Sequence, residues 1–189
     1  YNFRDKYLLY GTMRADGTSK YQEKWGYFPS IGAGWVLSEE GFLSDVPVVS
    51  FLKLRAGWGR LGNDKVAASS GARTTEIITT AINDQLVSGV KFKNTFDYLG
   101  WEVIESWNVG VSSRLLGNRL ALEADYFVRK NINAVIPVRL GNDFVNRNAG
   151  EIKNSGFELS LDWSDQLASG ISYRIGGNIS TLKNEVTDI

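Results

Sequence analysis

Apolar and polar residues alternate with a period of two along most of this chain, the spacing of strands with one buried face. In the stretch from Tyr7 to Asp16, Tyr7, Leu9, Gly11, Met13 and Ala15 share one face, and Leu8, Tyr10, Thr12, Arg14 and Asp16 make the other mixed to polar. Between Pro29 and Ser38, Ile31, Ala33, Trp35 and Leu37 oppose Ser30, Gly32, Gly34 and Ser38. The same alternation sets Leu52, Leu54, Ala56 and Trp58 against Lys53, Arg55, Gly57 and Gly59, and Val103, Trp107, Val109 and Val111 against Ser106, Asn108, Gly110 and Ser112. It recurs from Leu120 to Val128, from Phe157 to Trp163 and from Ile171 to Ile179. Helical periodicity is nearly absent. The pattern predicts about seven antiparallel strands, each with one apolar face.

The connections decide what that face meets. Those at Gly17–Tyr27, Leu61–Trp101 and Asn133–Ser155 are long, and those at Glu39–Ser50, Leu116–Asn118 and Ser164–Gly170 are shorter. Long loops at one end of a sheet and short turns at the other are the mark of an outer-membrane β-barrel, whose strands carry only a weak alternating signal. Such a barrel gathers aromatics near both strand ends. Tyr7, Trp35, Trp163 and Tyr173 fall at the short-turn end, Trp58 and Tyr126 toward the long-loop end, and Trp107 somewhat deeper. Ser38 is expected to cap a helical turn that begins at Glu39. About seven strands cannot close a barrel, since bacterial barrels begin at about eight, so residues 1–189 are expected to form part of a larger one. No signal-peptide pattern or helical membrane span is visible in the chain.

Composition removes most chemistry. The 189 residues hold 21 Lys and Arg against 21 Asp and Glu, with no His and no Cys. Balanced charge argues against nucleic-acid binding. The lack of thiols and imidazoles removes the usual nucleophiles, general bases and transition-metal ligands. The carboxylate pairs Glu39 and Glu40, Glu102 and Glu105, and Glu123 and Asp125 remain. Glu123 and Asp125 share a strand face and read as the polar inner wall of a barrel rather than an acid–base pair. Oxygen donors at Asp16, Asn63, Asp64 and Asn142–Asp143 read as turn chemistry, without calcium-loop spacing. The glycines of Gly32-x-Gly34 and Gly57-x-Gly59 read as sites of bending or of close approach by a plug backbone. No catalytic residue, metal site or cofactor is expected.

Several segments then resemble one family. Arg14-Ala15-Asp16-Gly17-Thr18-Ser19, Phe28-Pro29-Ser30 with Gly34-Trp35, and Ser38-Glu39-Glu40-Gly41-Phe42 resemble successive motifs of the SusC/RagA transporters, TonB-dependent outer-membrane proteins of Bacteroidota. Leu52-Lys53-Leu54-Arg55-Ala56-Gly57-Trp58-Gly59, Leu99-Gly100-Trp101-Glu102, Asn118-Arg119-Leu120 and Asn148 to Leu159 continue the match in order. Gly57 and the stretch Phe127-Val128-Arg129-Lys130 depart from the family's usual residues.

The resemblance implies a fragment of a plugged barrel of about 22 strands. It implies import of glycans or oligopeptides, a SusD-like surface lipoprotein as lid, energy delivered by TonB through a plug region that is not among these residues, and contact with outer-membrane lipid. It implies no enzymatic activity. Tyr21, Trp25, Tyr27, Phe96, Tyr98 and Trp101, with the cation Arg139, lie in or beside the long loops and are the expected substrate-binding residues, because aromatic faces stack on sugars. The alternative is a soluble β-sandwich that binds glycans through the same aromatics.

Overall fold

A computed structural model describes residues 1–65, 74–93, 99–140 and 143–188. One antiparallel sheet dominates it. In chain order its strands are β1 (Asn2–Phe3), β2 (Tyr7–Gly17), β3 (Trp25–Val36), β4 (Val49–Asn63), β7 (Glu102–Leu115), β8 (Leu120–Leu140), β9 (Asp143–Gln166) and β10 (Ser172–Asp188). Each pairs with the next, so β1 and β10 are the edges. The remaining two strands, β5 (Thr74–Ile82) and β6 (Gln85–Lys93), form a separate hairpin within the β4–β7 connection.

Two expectations from the sequence do not hold. The expected loop from Asn133 to Ser155 is instead strand, because β8 and β9 continue as a ladder to Leu140↔Asp143, with bulges around Ala134. Asn133 sits at that break with a left-handed φ of 58°, a conformation Asn tolerates better than most residues. The turn after β3 is a 3-10 helix, Leu37–Glu39, with Val36 and not Ser38 at its cap. Ser38 lies inside that turn and its buried hydroxyl has no partner.

The register shows the sheet's stagger. The row through Trp35 runs across Leu54, Val111, Ala124, Leu159 and Ile179. On β9 the short-turn aromatic is Trp163, four residues further toward the turn after four strand-to-strand steps. A shift of about one residue per strand, at roughly 3.4 Å per residue and 4.8 Å between strands, tilts the strands by about 35°. Closed membrane barrels have this tilt.

Among the described residues nothing packs on the apolar face. Among the described residues no second sheet covers it, which removes the sandwich alternative. Leu9, Ile31, Val109, Leu161, Ile175 and Ile179 all stand exposed there. Three of the few buried apolar residues sit together elsewhere: Tyr21, Phe28 and Leu99 are only 4%, 3% and 5% exposed. They pack at the long-loop end, where the β3–β4 ladder stops at Ser30↔Gly59. Pro29, next in β3, has no amide hydrogen to extend that ladder. The Phe28 ring fills the resulting gap against Gly26 and Gly62, with Trp101 edge-on to it at 5.4 Å.

The glycines of the polar face have a use within the sheet. Tyr10 lies over Gly32, Asn108 over Gly57, Asp125 over Gly110, Phe127 over Gly156 and Asp162 over Gly176. The neighbouring strand's side chain occupies the space a Cβ would take at each.

Gly156 and Gly41 make a contrast. A Cβ at Gly156 would collide with the Thr181 carbonyl oxygen, whereas at Gly41, in the turn after β3, nothing lies within 4 Å. In unfolding of the full-length protein, Gly156→Ala is expected to cost about 1–3 kcal/mol. Gly41→Ala is expected to change stability by no more than about 0.5 kcal/mol. Equal effects would contradict this reading of the packing.

Candidate functional site: an apolar wall and an ion-paired inner face

The apolar face carries two aromatic belts. At the short-turn end Tyr7 stacks on Trp35 with ring centroids 6.3 Å apart, and Trp163 and Tyr173 hold the matching level on β9 and β10. At the other end Trp58 and Trp107 are directly opposed across β4 and β7, 5.9 Å between rings, so Trp107 is level with Trp58 rather than deeper. Tyr126 and Phe157 are opposed across β8 and β9 and continue this upper belt. Phe157 and Trp163 are six residues apart on one strand, about 20 Å of chain and about 17 Å along the normal to a membrane.

Charge begins where the belts end. The next row beyond Trp58 and Trp107 on the same face is Arg60, Glu105, Lys130 and Lys153. Arg60 pairs with Glu105 at 2.7 Å, and Lys130 with Glu151 at 3.4 Å. Below Trp163, Arg119 pairs with Asp165 at 3.4 Å. An apolar band bounded on both sides by aromatics and then by ion pairs is what a hydrocarbon layer requires of a strand wall.

The opposite face is polar and internally neutralised. Arg55 on β4 reaches across β7 to the Asp125 carboxylate on β8, with Nη2 at 2.7 and 3.0 Å from its two oxygens. The same nitrogen lies 3.0 Å from Glu123, which also accepts a 2.8 Å hydrogen bond from Ser112. Gly110 lies between the two partners, and a Cβ there would collide with the Asp125 carboxylate. Arg174 and Asp162 pair similarly at 2.9 Å on β10 and β9. Glu123 and Asp125 are thus an ion-paired wall.

The other carboxylate pairs are also accounted for. Glu102 and Glu105 point to opposite faces. Glu102 accepts from Asn63 at 2.6 Å and from the Val135 amide at 2.7 Å, and so pins the β8 bulge. Asn148 completes that clamp. Its side chain accepts from the Gly100 amide at 2.7 Å and donates to the carbonyls of Gly100 and Asn133 at 3.1 and 2.8 Å. Among the described residues no cluster of three or more acids is placed to hold a metal. Asp64 pairs with Lys20 and Asp16 with Arg14. Asn142 lies outside the described residues.

The expected substrate-binding residues divide. Tyr21 and Trp101 come together edge-to-face at 5.4 Å inside the packed cluster at the long-loop end. Trp25 and Tyr27 do not join them. Each is 62% exposed, on the apolar face with Ile31 and Trp35. Arg139 is exposed on the upper part of β8. Phe96 and Tyr98 lie outside the described residues.

Sequence reasoning named Glu40 as a turn carboxylate and missed its role. From the turn after β3 it accepts hydrogen bonds from the Tyr7 hydroxyl at 2.7 Å and the Trp35 indole at 3.1 Å, with Lys6 at 3.5 Å. The signal was present in two belt aromatics whose polar tips need a partner.

The whole described length matches a known barrel. Residues 1–188 match the family model described as TonB dependent receptor-like, beta-barrel. The chain belongs to this family. It is 32% identical to the TonB-dependent receptor SusC of Bacteroides thetaiotaomicron, over all of this chain and 20% of that protein. To the TonB-dependent receptor P26 of Formosa agariphila it is 28% identical, over all of this chain and 20% of that protein. Among solved structures, the RagAB peptide importer in its open-open state superposes with a TM-score of 0.85 at 21% identity, over 99% of this chain and 21% of that chain. The chain therefore spans about a fifth of the length of these relatives. For a TonB-dependent receptor barrel the apolar face is the outer, lipid-facing wall, and the face bearing Arg55, Glu123 and Asp125 lines the lumen.

Hydrogen bonding, first from Tyr7 and then from Trp35, holds the Glu40 carboxyl below its ordinary range. A carboxyl lowered in the folded state contributes stability above its unfolded pKa and loses it as pH falls through the folded value. The thermal midpoint of the full-length protein is expected to fall on acidification from about pH 7 to about pH 3, and to fall less in Glu40→Gln. Identical acid sensitivity in both would contradict this role for Glu40.

Proposed function

We propose that the chain is a wall segment of a TonB-dependent outer-membrane importer that takes up glycans or oligopeptides together with a SusD-like surface lipoprotein. The observation that carries the proposal is the outer wall itself. Two aromatic belts enclose an exposed apolar band, each edged by ion pairs, and the reverse face is polar and neutralised. Such a surface is stable only against hydrocarbon. The identity with SusC supports the transport role, and the superposition on the RagAB importer supports the barrel fold. In this reading the segment performs no chemistry. Transport would be energised by TonB acting on a plug that lies outside residues 1–189.

Within that role the long-loop end faces the cell exterior. Tyr21 and Trp101 act there by fixing the loops around the Phe28 wedge. Trp25 and Tyr27 extend the upper belt into the headgroup layer, since Tyr27 lies eight residues along β3 from Trp35, about 22 Å along the membrane normal. Arg139 is the described residue of the set best placed to meet cargo, with Phe96 and Tyr98 as further loop candidates.

The test uses the full-length protein. It is expected to fractionate with outer membranes and to migrate faster on gels when unboiled, as folded barrels do. Recovery as a soluble monomer would overturn the proposal. In the folded preparation Arg139→Ala is expected to weaken binding of an imported oligomer about tenfold with unboiled migration unchanged.

A further inference from the structure

The outer wall is not uniformly convex. Between the row Tyr7, Trp35, Leu54 and the row Ile31, Trp58, Trp107 it sinks to a floor made by Ala33 and Ala56. The depression has a lower part of about 860 Å³ and a contiguous upper part of about 260 Å³, which share Leu9, Ala33, Ala56 and Val109. Its long axis follows β3 and β4 over the four residues from Trp35 to Ile31, about 14 Å of chain and about 11 Å along the membrane normal. That length joins the short-turn belt to the Trp58 and Trp107 belt on these strands. The depression starts at the short-turn belt, which is the periplasmic side of a barrel.

Its lower end is polar and carries both signs. Tyr7 and Trp35, two of its walls, both donate to Glu40, and Lys6 closes on the same carboxylate. Tyr7 leads through Phe3, at 6.4 Å between rings, to Arg4, whose guanidinium stands 5.2 Å from the Phe3 ring centre. Asp5, whose carboxylate accepts from the Asn2 side chain at 2.6 Å, and Glu39 adjoin this group in sequence. Two cations within three residues suit a phosphate, and the neighbouring carboxylates suit an ammonium group.

We propose that this groove is a binding site for one zwitterionic aminophospholipid of the periplasmic leaflet. One acyl chain lies over Ala33 and Ala56, ending under Trp58 and Trp107. The phosphate meets Arg4 and Lys6, and the amine meets Glu39 and Asp5. The site rests on the proposed transporter role, which sets this wall against lipid, and adds to it a specific lipid with a fixed leaflet and orientation.

Native mass spectrometry of the full-length protein in mild detergent tests this, with phosphatidylethanolamine, phosphatidylglycerol and diacylglycerol of matched chains as probes. The wild type is expected to retain phosphatidylethanolamine at least about fivefold better than either other lipid. A33F/A56F, which fills the floor, is expected to reduce that retention about tenfold. R4Q/K6Q is expected to reduce it to the diacylglycerol level. Ile179→Phe, on the same face of β10, is expected to leave it unchanged. Faster unboiled migration certifies folding in each variant, and A56L replaces the double variant if that one does not fold. Equal retention by wild type and the groove-filling variant would overturn the site, as would an equal loss in Ile179→Phe or equal retention of phosphatidylethanolamine and diacylglycerol by the wild type. Any of these in a protein that still migrates as a folded outer-membrane barrel would leave the proposed function standing.

Discussion

The staggered antiparallel hydrogen-bond ladder is the constraint on which the rest depends. In a hydrocarbon layer no water is present to pair with backbone amides and carbonyls, so a strand survives there only with partners on both sides. Among the described residues the ladder supplies them to β3, β4, β7, β8 and β9, and its shift of about one residue per strand sets a tilt of roughly 35°. That stagger also explains why belt aromatics do not share one hydrogen-bonded row. Trp35 and Trp163 are at the same level only because the level crosses the rows obliquely.

Once the ladder fixes which residues alternate, each face solves its own problem. The outer face has no protein core to enter and presents Leu, Ile, Val and aromatics directly to lipid. The inner face must accommodate charged side chains side by side. It does so in part by pairing residues across a glycine on the strand between them, as Arg55 does with Asp125 over Gly110. The glycines are thus part of the electrostatics. Removing the side chain from the middle strand lets the outer two meet.

Much of this was legible in the sequence because a period of two survives local irregularity. Leu54, Ala56 and Trp58 against Arg55, Gly57 and Gly59 set the faces of β4 without any contact information. What escaped detection depended on longer range or on local turn chemistry. The β5–β6 hairpin turns on Asn83 and Asp84, both with left-handed φ, but its Ile77-Ile78 and Thr79-Thr80 repeats blur the alternation. The continuation of β8 and β9 was hidden by Asn133, Pro137 and Gly150, which read as loop residues. There the strand is held by Glu102 and Asn148, residues distant in sequence from the bulge they satisfy. Tyr21 and Trp101 looked like ligand aromatics, and only the end of the β3–β4 ladder at Pro29 creates the gap they help to fill.

Alternate positions of these strands meet lipid and lumen, and every other feature of the wall follows from that division. Spin labels at Ile175, Asn178, Ile179 and Ser180 of β10 in the reconstituted full-length protein test it most directly. Labels at Ile175 and Ile179 are expected to be relaxed mainly by oxygen, which partitions into lipid, and those at Asn178 and Ser180 mainly by a water-soluble nickel complex. Loss of that alternation, or its inversion, would contradict the assignment of the two faces.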